Sequence, residues 1–117
     1  MGAHMDKLES ILVTVDRSNN ARHTLAKAIA LAGRFGARLE LFLCDAEHAY
    51  ALKHEYDSRD VGDARESCLE ESRRYLERLR ASADVGELRV AIDATCESPL
   101  YEGIVHKVQQ SCPDLVI

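Results

Sequence analysis

Short apolar runs alternate with helical stripes along almost the whole chain, and this alternation limits the fold more than any other feature. Ile11-Leu12-Val13-Thr14-Val15 is a β-branched run of the kind that forms a strand buried on both faces. Asp16-Arg17-Ser18-Asn19-Asn20 follows, dense in turn and N-cap residues, and predicts a helix start. Ala21, Leu25, Ala28, Ile29, Ala32 and Phe35 then recur at three- and four-residue steps, and Gly36 stands where a left-handed residue would close that helix. Leu39 to Cys44 reads as a second strand, and Leu88 to Ala94 as a third. Asp114-Leu115-Val116-Ile117 opens a fourth.

Two more helical stripes separate these strands. Ala64, Cys68, Leu69, Tyr75, Leu76 and Leu79 form one, backed by a face of mixed Glu and Arg that reads as solvated. Leu100, Ile104, Val105 and Val108 form the other. Ser98 is expected to cap it, with Pro99 in its first turn and Pro113 beyond its end. The polar stretch from Asp45 to Asp63, carrying His48, Tyr50, His54 and Tyr56, reads as a long surface excursion with at most one helical turn. The order is β-α-β-α-β-α-β. Strands joined through helices need crossover connections, so the sheet is expected to be open and parallel, with helices on both faces.

Composition narrows the function. A net charge of −5 argues against a nucleic-acid partner, which asks for a basic stripe. No apolar run approaches membrane-spanning length, and the run at Ile11–Val15 is too short for a signal peptide, so a cytoplasmic address is the default. The four cysteines, Cys44, Cys68, Cys96 and Cys112, show no C-x-x-C or C-x-x-H pairing, so they read as small hydrophobes rather than metal ligands or disulfides. Met1 to His4 read as a start codon and cloning scar, leaving one domain over 5–117.

An open parallel sheet binds ligands beyond the carboxyl ends of its strands, where the strand order reverses. The candidates are therefore Asp16 to Ser18, Cys44 to Ala46, and Asp93 to Cys96. Two roles are open to Asp16: a carboxylate accepting hydrogen bonds from a ribose or adenine, or a turn residue fixing its own loop. Asp93 reads as a turn residue rather than a phosphate acceptor, because no acidic pair accompanies Asp16 to hold a metal. His23, His48, His54 and His106 read as surface or packing residues. The chain holds no nucleophile elbow, no G-x-x-x-x-G-K-[ST] and no G-x-G-x-x-G.

Ile11-Leu12-Val13-Thr14-Val15-Asp16-Arg17-Ser18 resembles the opening of universal stress proteins, a hydrophobic strand followed by Asp-x-Ser. Ala28, Gly36 and the segment Ala37 to Leu43 resemble that family's passage into strand two. Glu97-Ser98-Pro99 with Glu102, Ile104 and Val105, then Pro113-Asp114-Leu115-Val116-Ile117, resembles its third helix and fourth strand. The resemblance spans residues 8 to 117, and the 45–63 stretch is most similar to the first domain of tandem, E-type members. It implies a Rossmann-like sheet of the adenine-nucleotide α-hydrolase type, here ending after strand four, without the fifth strand through which many members dimerise.

The resemblance also implies a ligand. ATP-binding members use the aspartate after strand one, a main-chain contact at the end of strand two, and a G-x2-G-x9-G-[ST] segment after strand four. Asp16, with Arg17 and Ser18, matches the first, and Cys44 the second; the third has no counterpart before Ile117. The expectation is thus no cofactor for this chain alone, and ATP for a longer form. Three functions follow: a nucleotide-binding stress-response module, a non-nucleotide protein–protein or oligomerisation module, and, more distantly, a phosphotransfer receiver or hydrolase. Self-association as a homodimer is expected through the unpaired edge of the fourth strand.

Overall fold

The computed structural model of the chain describes residues 8–54 and 61–117. Its elements run β1 (Ser10–Thr14), α1 (Ala21–Phe35), β2 (Arg38–Cys44), α2 (Ala46–His54), α3 (Val61–Ala81), β3 (Val90–Thr95), α4 (Leu100–Ser111) and β4 (Leu115–Val116). The four strands form one sheet in the order β3-β2-β1-β4, with every neighbouring pair parallel. This is the α/β architecture that the alternation predicts. The strand order reverses at β1, so the crevice rule places a site at its carboxyl end.

Residues of alternate parity point to opposite faces of the sheet. Ile11, Val13, Leu39, Leu41 and Leu43 point to one face, where they pack with Ala21, Leu25, Ala28 and Ala32 of α1 and Leu76 and Leu79 of α3. Leu12 and Phe42 are equally buried on the other face, which α4 covers. That covering is unusual. The buried residues of α4 are Gly103 and Lys107, whereas Leu100 and Val105 of the expected apolar stripe are about half exposed. A lysine reaches the sheet because two carboxylates, Glu40 and Asp93, wait for it there.

Most helix boundaries follow the local chemistry. Gly36 takes φ 67°, and its N–H caps α1 on the Ala32 carbonyl. Phe35 does not join the core. It is 49% exposed, because α1 meets the sheet last through Ala32 and then Ala37. Ser98 does not cap α4. Pro99 takes the N-cap position instead, and its carbonyl accepts the Glu102 and Gly103 N–H groups.

The polar stretch after β2 is more ordered than its composition implies. Asp45 Oδ1 accepts the His48 N–H at 2.9 Å and so caps the nine-residue helix α2. Ala49 and Leu52 bury against Cys68 and Cys96 in a small second core. Two buried residues in nine leave almost no helical stripe, so the sequence showed only a polar segment. Tyr56 lies outside the described residues. Among the described residues no helix is long and apolar enough to cross a membrane.

Candidate functional site

The loop leaving β1 is built on its own side chains. Asp16 Oδ1 accepts the Ser18 N–H at 2.9 Å, and Ser18 Oγ accepts the Asn20 N–H at 3.2 Å. Hydrogen bonds from the side chain and backbone of Ser18 hold the Asp16 carboxyl below the usual carboxylate range. Asp16 is therefore an exposed, ionised acceptor at neutral pH. α3 braces the loop from the side: Tyr75 donates its hydroxyl to the Asp16 carbonyl at 2.9 Å, and Arg17 Nη2 donates to Ser72 Oγ at 3.0 Å.

Cys44 is the last residue of β2. Its Sγ donates weakly to the Glu97 carbonyl at 3.5 Å, and burial pushes its pKa up. Asp16, Ser18 and Cys44 come together in one cleft of about 230 Å³, which Thr24 of α1, Phe42 of β2, and Leu100 and Ile104 of α4 also line. A second cleft of about 280 Å³ adjoins it, sharing Asp16, Cys44 and Leu100 and adding Arg17, Asp45 and His48. Arg17 thus faces away from the first cleft, toward α3. The larger hollow of about 880 Å³ lies elsewhere, around Glu9, Gly36 and the 84–89 loop, near the amino ends of the strands. The crevice rule disfavours it.

The carboxyl end of β3 behaves differently from expectation. Asp93 is not a turn residue: it lies within β3 opposite Phe42, and its Oδ2 accepts from Lys107 Nζ at 2.9 Å. Cys96 is fully buried, and its carbonyl accepts from Arg65 Nη1 at 2.7 Å. His106, expected at the surface, is half exposed and pairs with Glu97 at 2.7 Å.

A model of the universal stress protein family matches residues 7–117. The chain belongs to the universal stress protein family. Three solved structures show how far this universal stress protein domain shares its fold. A family member from Burkholderia pseudomallei is 24% identical with a TM-score of 0.69, covering 93% of this chain and 79% of that one. The universal stress protein UspA from Lactobacillus plantarum is 19% identical at 0.60, covering 94% and 75%. A universal stress protein in complex with cAMP is 15% identical at 0.57, covering 95% and 72%. No curated protein matches the chain.

One hub of this universal stress protein domain escaped the sequence. Asp45 is buried beside Asp16's cleft, and its Oδ2 lies 2.7 Å from His48 Nδ1, 3.4 Å from Cys68 Sγ and 4.0 Å from Arg17 Nη2. Burial works to raise the Asp45 pKa, but hydrogen bonds from the His48 backbone and ring and from Cys68 outweigh it and lower it. The same burial, with the Asp45 carboxylate beside it, pushes the Cys68 thiol up to about 12. Only the short Asp45-x-x-His48 spacing was visible in the sequence; Cys68 arrives from α3.

Proposed function

We propose that this universal stress protein domain is a binding module for adenine nucleotides, taking the base and ribose in the cleft between the tip of β1 and α4. The observation that carries this reading is the position of Asp16. It is an exposed carboxylate, ionised at neutral pH, at the rim of a cleft of mixed polar and apolar lining where the strand order reverses. Leu100 and Ile104 offer an apolar seat for a base, and Asp16 offers acceptors for ribose hydroxyls. The complex of one structural relative with cAMP supports the same ligand class. Among the described residues no glycine-rich loop grips phosphates. Affinity is therefore expected to depend little on phosphate number.

The test is calorimetric titration of this chain with adenosine, cAMP and ATP. All three are expected to bind weakly and with similar affinity, and Asp16→Ala is expected to lower each affinity by roughly tenfold, the loss of a charge-assisted hydrogen-bond acceptor. Absence of binding by any adenine compound, or binding unchanged by Asp16→Ala, would overturn the reading.

One observation favours a second role. Leu100, Tyr101 and Val105 of α4 are 49%, 67% and 47% exposed, an apolar surface on the helix that covers the second face of the sheet. We read it as a surface for self-association with a second copy of the chain. Val105→Asp should then shift the sedimentation profile toward monomer, and an unshifted profile would exclude α4 as the contact.

A further inference from the structure

The Asp45 hub carries chemistry that nucleotide binding does not use. Asp45 directly follows β2, His48 lies in the first turn of α2, and Cys68 comes from α3. Their ligand atoms, one carboxylate oxygen, one imidazole nitrogen and one sulfur, all lie within 4.8 Å of one another. Asp45 and Cys68 are buried, while the His48 side chain is 57% exposed. This is therefore not a cluster of surface acids.

We propose that Asp45, His48 and Cys68 form a binding site for a divalent transition-metal ion of the zinc class. The donor set selects the ion: hard Mg²⁺ and Ca²⁺ take all-oxygen shells, whereas carboxylate, imidazole and thiolate together suit zinc and its neighbours. The spacing fits as well. Zinc bond lengths in a tetrahedral shell put the sulfur and oxygen ligands roughly 3.6 Å apart and the nitrogen and oxygen ligands roughly 3.4 Å apart. The Cys68 Sγ to Asp45 Oδ2 distance is already 3.4 Å. The His48 Nδ1 to Asp45 Oδ2 distance is 2.7 Å, a hydrogen bond that must open for an ion to enter. His48 can make that move, because its exposed side chain is not packed in place.

The ion enters by replacing protons. His48 binds through Nδ1 with its proton on Nε2, and Cys68 releases its thiol proton to solvent; no electrons are transferred. Three protein ligands leave a fourth position for water. Cys96 Sγ is the next donor, 3.9 Å from Cys68 Sγ. The rival arrangement is a metal-free hydrogen-bonded trio in which Asp45 only caps α2 and accepts from the imidazole and the thiol. Both arrangements use the same atoms, so the ion itself must decide between them. The proposal shares no ligand with Asp16, and a failed nucleotide titration leaves it standing.

The experiment is titration of the reduced, metal-free protein with Co²⁺, followed by absorbance. One equivalent is expected to give a thiolate-to-cobalt charge-transfer band in the near ultraviolet, and Zn²⁺ is expected to abolish it by displacement. Cys68→Ser should remove the band. His48→Ala, a change at an exposed position, should weaken Co²⁺ binding by roughly tenfold or more, the least expected when a direct ligand is lost. Cys112→Ser, at the exposed thiol, should change nothing. As a second measurement, Zn²⁺ should raise the melting temperature of the wild type more than that of His48→Ala. A band that never forms would overturn the site. So would a band that follows Cys112 rather than Cys68, or one indifferent to His48→Ala. His48→Ala keeps the test decisive if Cys68→Ser fails to fold.

Discussion

Gly103 of α4 presents its bare Cα to Cys44 at the tip of β2, so closely that a Cβ built on Gly103 would overlap Cys44 Sγ. Alanine is normally the better helix residue, by about 1 kcal/mol. At this position the overlap should win. Gly103→Ala is expected to destabilise the domain by about 1–3 kcal/mol, as overpacked interiors do, measured by urea unfolding. Because Leu100 and Ile104 of α4 wall the Asp16 cleft, the same change should weaken adenosine binding. Cys44→Ala in the Gly103→Ala background should restore much of both losses, and a strictly additive double mutant would refute steric coupling between the two positions.

The Asp16 loop leans on α3 through Tyr75, whose hydroxyl holds the Asp16 carbonyl. Tyr75→Phe keeps the ring, and the Arg17 guanidinium 5.8 Å from its centroid, while deleting that bond. The expected loss of stability is about 1 kcal/mol. A larger proportional fall in adenosine affinity is also expected, since the loop that carries Asp16 would be less fixed. Chemical unfolding and calorimetry on the same variant separate the two effects.

How much of this was legible in the sequence depended on whether the signal was local. Ile11–Val15 and Leu39–Cys44 are largely apolar runs, interrupted only by Thr14 and Glu40, because both faces of those strands are mostly buried, and such runs are read directly. Gly36 was legible because one residue supplies the whole capping geometry. α2 was not, since its order comes from Asp45 below it and Cys68 and Cys96 beside it, partners remote in the chain. Lys107 was missed for the same reason: a lysine beside a histidine reads as surface until Glu40 and Asp93 are seen across from it. The Asp45, His48 and Cys68 constellation joins three elements, and no spacing rule within one element reveals it.

The four thiols should report this burial directly. Cys112 is exposed, Cys44 is partly buried, and Cys68 and Cys96 are buried. In native protein one thiol is expected to react rapidly with a disulfide reagent, one slowly, and two only on unfolding; in denaturant all four should react at once. Cys112→Ser should remove the fast phase. Rapid reaction of a second thiol in that variant would mean that α3 or α4 opens far more readily than its packing implies.

Lys107 should be the most consequential single side chain of α4. It is 9% exposed, its Nζ lies 2.9 Å from both Glu40 Oε2 and Asp93 Oδ2, and it stands 5.6 Å from the centre of the Phe42 ring. Burial works to lower its pKa, but hydrogen bonds to Glu40 and then Asp93 outweigh burial and raise it above the ordinary lysine value of 10.5. A raised cationic pKa means the folded state holds the proton more tightly than the unfolded chain. The contribution is therefore complete below 10.5 and is lost as pH rises through the raised value. Lys107→Met keeps the apolar stem but leaves two carboxylates facing each other, and should cost about 1–3 kcal/mol at neutral pH, reduced from the fully buried case because Asp93 is partly exposed. The gap between wild type and Lys107→Met should narrow in strongly alkaline buffer, where the wild-type lysine loses its charge. Urea unfolding of both proteins across that range measures it, and a gap unchanged by pH would show that Lys107 acts through packing alone.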